Sequence, residues 1–182
     1  MDEKKPVMTA EFWRNRILKA ISTGKELHTT VYETDPSTWR KIGYKTYKLL
    51  DKHLRAGDRF LDAGCGYGAV YDFMDRWTNI KYTGVDISPD LIEMAKTRYP
   101  SGNFLVADLR QLPFEDQSFD LAFCRSVRGM IIDNLGEETW HQMETELLRV
   151  AKQLLTAEYG DTSGHPILSS KAKGSLVHSL KP

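Results

Sequence analysis

Asp58-Arg59-Phe60-Leu61-Asp62-Ala63-Gly64-Cys65-Gly66-Tyr67-Gly68 runs from a short apolar segment into a turn with a glycine at every second position. The apolar segment reads as a strand, and Ala69 to Trp77 beyond the turn reads as a helix. At such a junction glycine permits tight turning and close approach of the backbone to a ligand, so a ligand site is expected there.

Downstream, residues 81–87 (KYTGVDI) form the next apolar run and place Asp86 about 20 residues after the turn. In a strand-helix-strand unit, that carboxylate lies where it can accept from the hydroxyls of a nucleoside ribose. Residues 90–99 (DLIEMAKTRY) predict a helix, 103–109 (NFLVADL) a third strand ending near Asp108, and 120–126 (DLAFCRS) a fourth. The intervening 111–120 (QLPFEDQSFD) carries Pro113 and reads as a loop. A helix over Glu137 to Lys152 and a fifth strand at 153–159 (QLLTAEY) complete the alternation. The fold class is therefore α/β, a Rossmann-like, mostly parallel sheet flanked by helices, because parallel strands need crossover connections. After Tyr159 only 23 residues remain, which predicts a shortened C-terminal end with at most a hairpin between 166–170 and 175–180.

Upstream, Phe12, Trp13, Ile17, Leu18 and Ile21 recur at helical spacing over Thr9 to Ser22, with Gly24 as a stop. A connector follows, and a second helix is expected from Pro36 to Leu54, with Lys41, Lys45, Lys48 and Lys52 as a solvated basic stripe. Residues 1–57 thus read as a helical cover on a core of residues 58–182, together one domain. Lysine plus arginine and aspartate plus glutamate are both 25, which gives no reason to expect nucleic acid. The cover carries 12 basic and 7 acidic residues, the core the opposite excess. Cys65 and Cys124 lack metal-ligand spacing and point to reduced thiols and a cytoplasmic setting. No run has the length of a membrane span.

The spacing Gly64-x-Gly66-x-x-Ala69 also satisfies a dinucleotide fingerprint, which would suit an NAD-dependent dehydrogenase. Asp62, two residues before the first glycine, argues against it, since a negative charge there repels a pyrophosphate. A sulfonium cofactor with a free amino group has the opposite need, and Asp108 offers an acceptor to an exocyclic adenine amine. Residues 58–68, 83–100 and 104–124 resemble the successive motifs of class I S-adenosylmethionine-dependent methyltransferases, notably their small type 11 group. In place of that family's usual Lys-Pro-Gly-Gly turn before the fifth strand stands Val150-Ala151-Lys152.

The resemblance implies S-adenosylmethionine as cofactor and methyl transfer to a small-molecule acceptor. It implies that Asp62, Gly64, Cys65 and Gly66 surround the methionine end, with Gly68 permitting close packing. Asp86 would take the ribose, Ile87 would pack on adenine, and Asp108 with the Leu109 amide would address the adenine edge. Cys124 and Arg125 would border the sulfonium. Substrate contacts are expected from His28, Tyr32, Arg125, Arg128 and Tyr159, the paired arginines suiting an anionic acceptor. The short tail also suits a cofactor-binding but catalytically silent regulator or scaffold.

Overall fold

Residues 9–24, 35–77, 79–158, 167–172 and 178–180 are described by a computed structural model. Thr9 accepts the Phe12 amide at 3.2 Å and Gly24 closes the far end at φ 63°, bounding helix α1, Ala10–Thr23. Asp35 caps α2, Pro36–Leu50, by accepting the amides of Ser37 and Thr38, and Pro36 occupies the first turn, where its missing N–H costs nothing. The helix stops short of the expected Leu54. Lys52 and His53 donate to carbonyls three residues back, and the Arg55 guanidinium takes the carbonyls of Lys52 and Leu54, tightening the chain into turns.

Five parallel strands follow: β1 Arg59–Ala63, β2 Lys81–Asp86, β3 Phe104–Val106, β4 Phe119–Arg125 and β5 Ala151–Glu158. They lie in the order β3-β2-β1-β4-β5. The hairpin expected at the end is present as β6, Ile167–Ala172, and β7, His178–Leu180. It also extends the sheet, since β6 pairs antiparallel with β5. The order reverses at β1, whose neighbours β2 and β4 run off to opposite sides. That places a crevice at the carboxyl ends of β1 and β4.

The connections depart from expectation in two places. Residues 69–77 hold only a 3-10 helix, Tyr71–Arg76, where a full helix was expected. Between β4 and β5 stand two helices, α4 Arg128–Leu135 and α5 Glu137–Val150, split by Gly136 at φ 87°. Between β2 and β3 runs α3, Pro89–Arg98, capped by Ser88. The helix α5 passes into β5 with no intervening residue, as tight as the missing glycine turn implies.

Alternation along the strands divides the core. Leu61, Ala122, Cys124 and Leu154 pack beneath α5 with Trp140, Met143 and Leu147. Phe60, Leu121, Phe123 and Leu155 face the other way, against Leu50, Met74 and Ile92. Burying such side chains contributes about 1.5–3 kcal/mol each. On that second side, Ile17 of α1 packs with Tyr67 and Leu91, so the N-terminal helix reaches the glycine-rich turn.

Candidate functional site

Gly64, Gly66 and Gly68 have φ of 77°, 55° and 84°, a region in which a side chain is strained. The amides of Gly64 and Cys65 both donate to the Val85 carbonyl, at 2.8 and 2.9 Å, and tie the turn to β2. A β-carbon on Gly64 would lie 2.5 Å from Cγ2 of Val127, and one on Gly68 would lie 2.9 Å from the Tyr99 ring. The first glycine therefore serves the crevice between β1 and β4, and the third serves packing against α3 and β3.

Three carboxylates end or follow the first three strands. Asp62 is 1% exposed and accepts the Tyr82 hydroxyl at 2.7 Å. Burial pushes its pKa up to about 6; Tyr82 and Arg125 oppose the rise and Asp86 adds to it. Asp86 accepts the amides of Gly66 and Ser88, both at 2.9 Å, so it joins the turn to the start of α3. Burial raises this carboxyl as well, against those amides. Asp108 differs. Its two oxygens are held by the Arg110 guanidinium at 2.5–3.0 Å, which draws its pKa down.

These groups open on one cavity of about 490 Å³, within the range of roughly 300–1,000 Å³ typical of small-molecule sites. Of the residues expected at a site, Asp62, Gly64, Cys65, Gly66, Asp86, Ile87, Asp108, Leu109 and Arg125 line it. Ile87 is 47% exposed although apolar, and it lines the cavity next to Asp86 in the chain. Arg125 is half-buried; its guanidinium lies 5.4 Å from the centre of the Trp39 ring and donates to Thr46 Oγ1 at 3.4 Å. Trp39 and Thr46 belong to α2, so the cover helix orients a β4 cation.

Other expected residues lie elsewhere. Cys124 is fully buried beneath α5, because the alternation that turns Arg125 to the crevice turns its neighbour to the core. Burial accordingly drives its thiol well above its ordinary pKa. Gly68 is absent from the lining, its α-carbon packed against Tyr99 and Phe104. Arg128 is also absent from the lining; its amide donates to Glu158 at 3.0 Å and starts α4, so the two arginines do not converge on the cavity. His28, Tyr32 and Tyr159 lie outside the described residues.

Sequence reading passed over Arg110, Ser126, Val127 and Met130, all of which line the cavity. Ser126 holds φ 56°, a left-handed conformation uncommon for serine, and its amide donates to the Ala157 carbonyl at 2.8 Å. Among the described residues there is no cluster of metal-ligating side chains, and no helix is long and apolar enough to cross a membrane.

The profile of the methyltransferase domain family matches residues 60–153. The chain is 29% identical over 170 residues to the O-methyltransferase cnsE of Penicillium expansum, covering 87% of this chain and 59% of that protein. It is 32% identical over 111 residues to the 27-O-demethylrifamycin SV methyltransferase of Amycolatopsis mediterranei, covering 55% of this chain and 40% of that one. The chain spans between 32% and 59% of the length of eight curated relatives it matches. The fold is shared with the TehB-like SAM-dependent methyltransferase of Corynebacterium glutamicum, at TM-score 0.54 and 21% identity, over 81% of this chain and 71% of that one. The chain belongs to the class I S-adenosylmethionine-dependent methyltransferases.

Proposed function

We propose that this chain transfers a methyl group from S-adenosylmethionine to a small-molecule acceptor. The observation that carries the reading is the opening of Asp62, Asp86 and Asp108 from consecutive strand ends onto one cavity, beside a glycine-rich turn. When bound, the cofactor supplies an electrophilic methyl carbon on a sulfonium. The chain's part is to hold the two reactants in line and to exclude water, which can lower the barrier substantially without a dedicated base.

Asp62, with the backbone of Gly64, Cys65 and Gly66, takes the charged methionine end, where a buried carboxylate favours a cation. Asp86 takes the ribose hydroxyls. Its oxygens already accept the amides of Gly66 and Ser88, and the Ile87 amide also acts on the carboxylate; with about four lone-pair sites, acceptor capacity for a hydroxyl remains. Ile87 packs on the adenine face, and Asp108 with the Leu109 amide meets its edge. Arg125, aimed by Trp39 and Thr46, holds an anionic group of the acceptor against the apolar wall formed by Met130 and Ile131.

Calorimetry with S-adenosylhomocysteine tests the binding half. Asp86→Ala removes the ribose contacts and strands two amides, so affinity should fall roughly 100-fold; an unchanged affinity rejects the assignment. Mass spectrometry after incubation with labelled cofactor and a cell extract tests the catalytic half. Multiple-turnover appearance of label in a small molecule supports transfer. Retained cofactor with no labelled product supports a silent scaffold instead.

A further inference from the structure

In the pairing of β1 with β2, Asp62 stands opposite Gly84 and Phe60 stands opposite Tyr82. Tyr82 and Gly84 are two residues apart and so project from the same face of β2. The Tyr82 ring lies forward along the strand, over Gly84, and its hydroxyl crosses to β1, donating to Asp62 Oδ2 at 2.7 Å. A β-carbon on Gly84 would meet that hydroxyl at 2.8 Å and the Cys65 sulfur at 3.0 Å. The ring's direction is fixed from other sides, edge-on to Tyr71 and Phe104, with centroids 4.8 and 5.6 Å away. A buried tyrosine needs some acceptor for its hydroxyl, and a backbone carbonyl would serve. Here the acceptor is the carboxylate that lines the cavity.

We propose that Tyr82 is the positioning residue for Asp62: its hydroxyl, carried across the bare α-carbon of Gly84, aims the carboxylate at the charged amino end of the cofactor and holds it ready. This rests on the reading that Asp62 meets that amino group. The groups facing Asp62 are Tyr82 and Asp86 from β2, Arg125 from β4 and Cys65 from the turn, while Cys124, on the other face of β4, senses its charge through the sheet. Both thiols are pushed well above their ordinary range and are neutral near pH 7. Asp86 opposes the charge on Asp62, while Tyr82 and Arg125 support it. Tyr82 is the one supporter in direct contact.

The test compares S-adenosylhomocysteine with methylthioadenosine, which keeps the nucleoside but lacks the amino-acid end. Dissociation constants are measured by calorimetry from about pH 5 to about pH 8, a range that brackets a raised carboxylate. In the unaltered protein, the preference for S-adenosylhomocysteine should fall with acid, with its upper break near the Asp62 value of about 6. Tyr82→Phe keeps the ring and removes one hydrogen bond to the charged form. It should raise the break by about one pH unit, costing about fivefold in preference near pH 6, about twofold at neutral pH and little at the alkaline end. An unmoved break, or an equal loss at every pH, overturns the positioning role and leaves Tyr82 as packing. Asp62→Asn provides the second arm. If that variant keeps the full preference, Asp62 does not meet the amino group and the reading beneath the proposal fails, a result distinct from an inert Tyr82→Phe.

Discussion

The two walls of the cavity are made in different ways. The wall of β1 and β2 is built from main-chain conformation and buried hydrogen bonds: left-handed glycines, two amides on the Val85 carbonyl, and an aspartate that ties the turn to α3. The wall of β4, α2 and α4 is built from side chains. It offers a half-buried arginine under a tryptophan, and Met130 and Ile131 from a helix with no fully buried residue. The first wall tolerates little substitution, because its shape depends on atoms that are absent. The second can change its lining without unfolding the sheet, because its surface is made by side chains rather than by main-chain conformation.

The contrast breaks most sharply at Gly64, where the walls touch. Gly64→Ala adds a β-carbon at φ 77° and 2.5 Å from Val127. A strained backbone at about 1–2 kcal/mol and overpacking at about 1–3 kcal/mol together predict a loss of about 2–5 kcal/mol in denaturant unfolding. Val127→Ala in the same chain should recover the overpacking part only. Full recovery would mean that the backbone conformation there is not strained.

Asp62 shows what the first wall costs. Its carboxyl keeps a proton to about pH 6 in the folded chain, against an ordinary 3.8. Between those values the folded state binds more protons than the unfolded, so stability falls as pH rises through that window. A shift of about two units corresponds to about 3 kcal/mol lost by pH 7 in the ligand-free protein. Asp62→Asn should therefore stabilise the ligand-free chain by about 2–3 kcal/mol near neutral pH, and the gain should vanish near pH 4. Thermal melts at the two pH values check the sign; a gain that grows toward acid would contradict it.

How far the sequence was legible follows the same division. The turn at 64–68 was readable because only glycine adopts its conformations freely, and Asp86 because a strand end two elements on has a fixed spacing. The alternation of Leu121 and Phe123 against Ala122 and Cys124 was also present in the sequence, and it turns Cys124 away from the cavity. The helix α4 was not readable. Its apolar residues Met130, Ile131 and Ile132 are contiguous rather than periodic, and its first amide is satisfied by Glu158, 30 residues further on. The place of Val127 was equally hidden, since nothing local says that its methyl faces Gly64. Arg110 was hidden differently: Asp108-Leu109-Arg110 carries the pair openly, but a carboxylate read as waiting for a ligand was not read as already held.

Two smaller effects probe the second wall. Arg125→Gln keeps a hydrogen-bonding side chain but removes the cation, so labelled methyl transfer to an anionic acceptor should fall about tenfold, with S-adenosylhomocysteine affinity within about threefold. Equal losses in both would move Arg125 from the acceptor side to the cofactor side and erase the division of labour between the walls.

The smallest effect is expected where the walls give way to solvent. The Asp108 and Arg110 side chains are 31% and 51% exposed, so breaking the pair should change stability by less than about 1 kcal/mol. Binding should respond in the opposite sense. In the ligand-free chain the Arg110 guanidinium donates to both Asp108 oxygens, Oδ1 also taking the Arg110 amide, and the adenine amine must compete with the guanidinium for Oδ2. Arg110→Ala removes the competitor and should raise S-adenosylhomocysteine affinity about threefold, an effect reduced by salt in the unaltered protein, where screening loosens the pair. A loss of affinity in that variant would instead make Arg110 itself a contact for the cofactor, and the adenine end would then join the side-chain wall rather than the main-chain one.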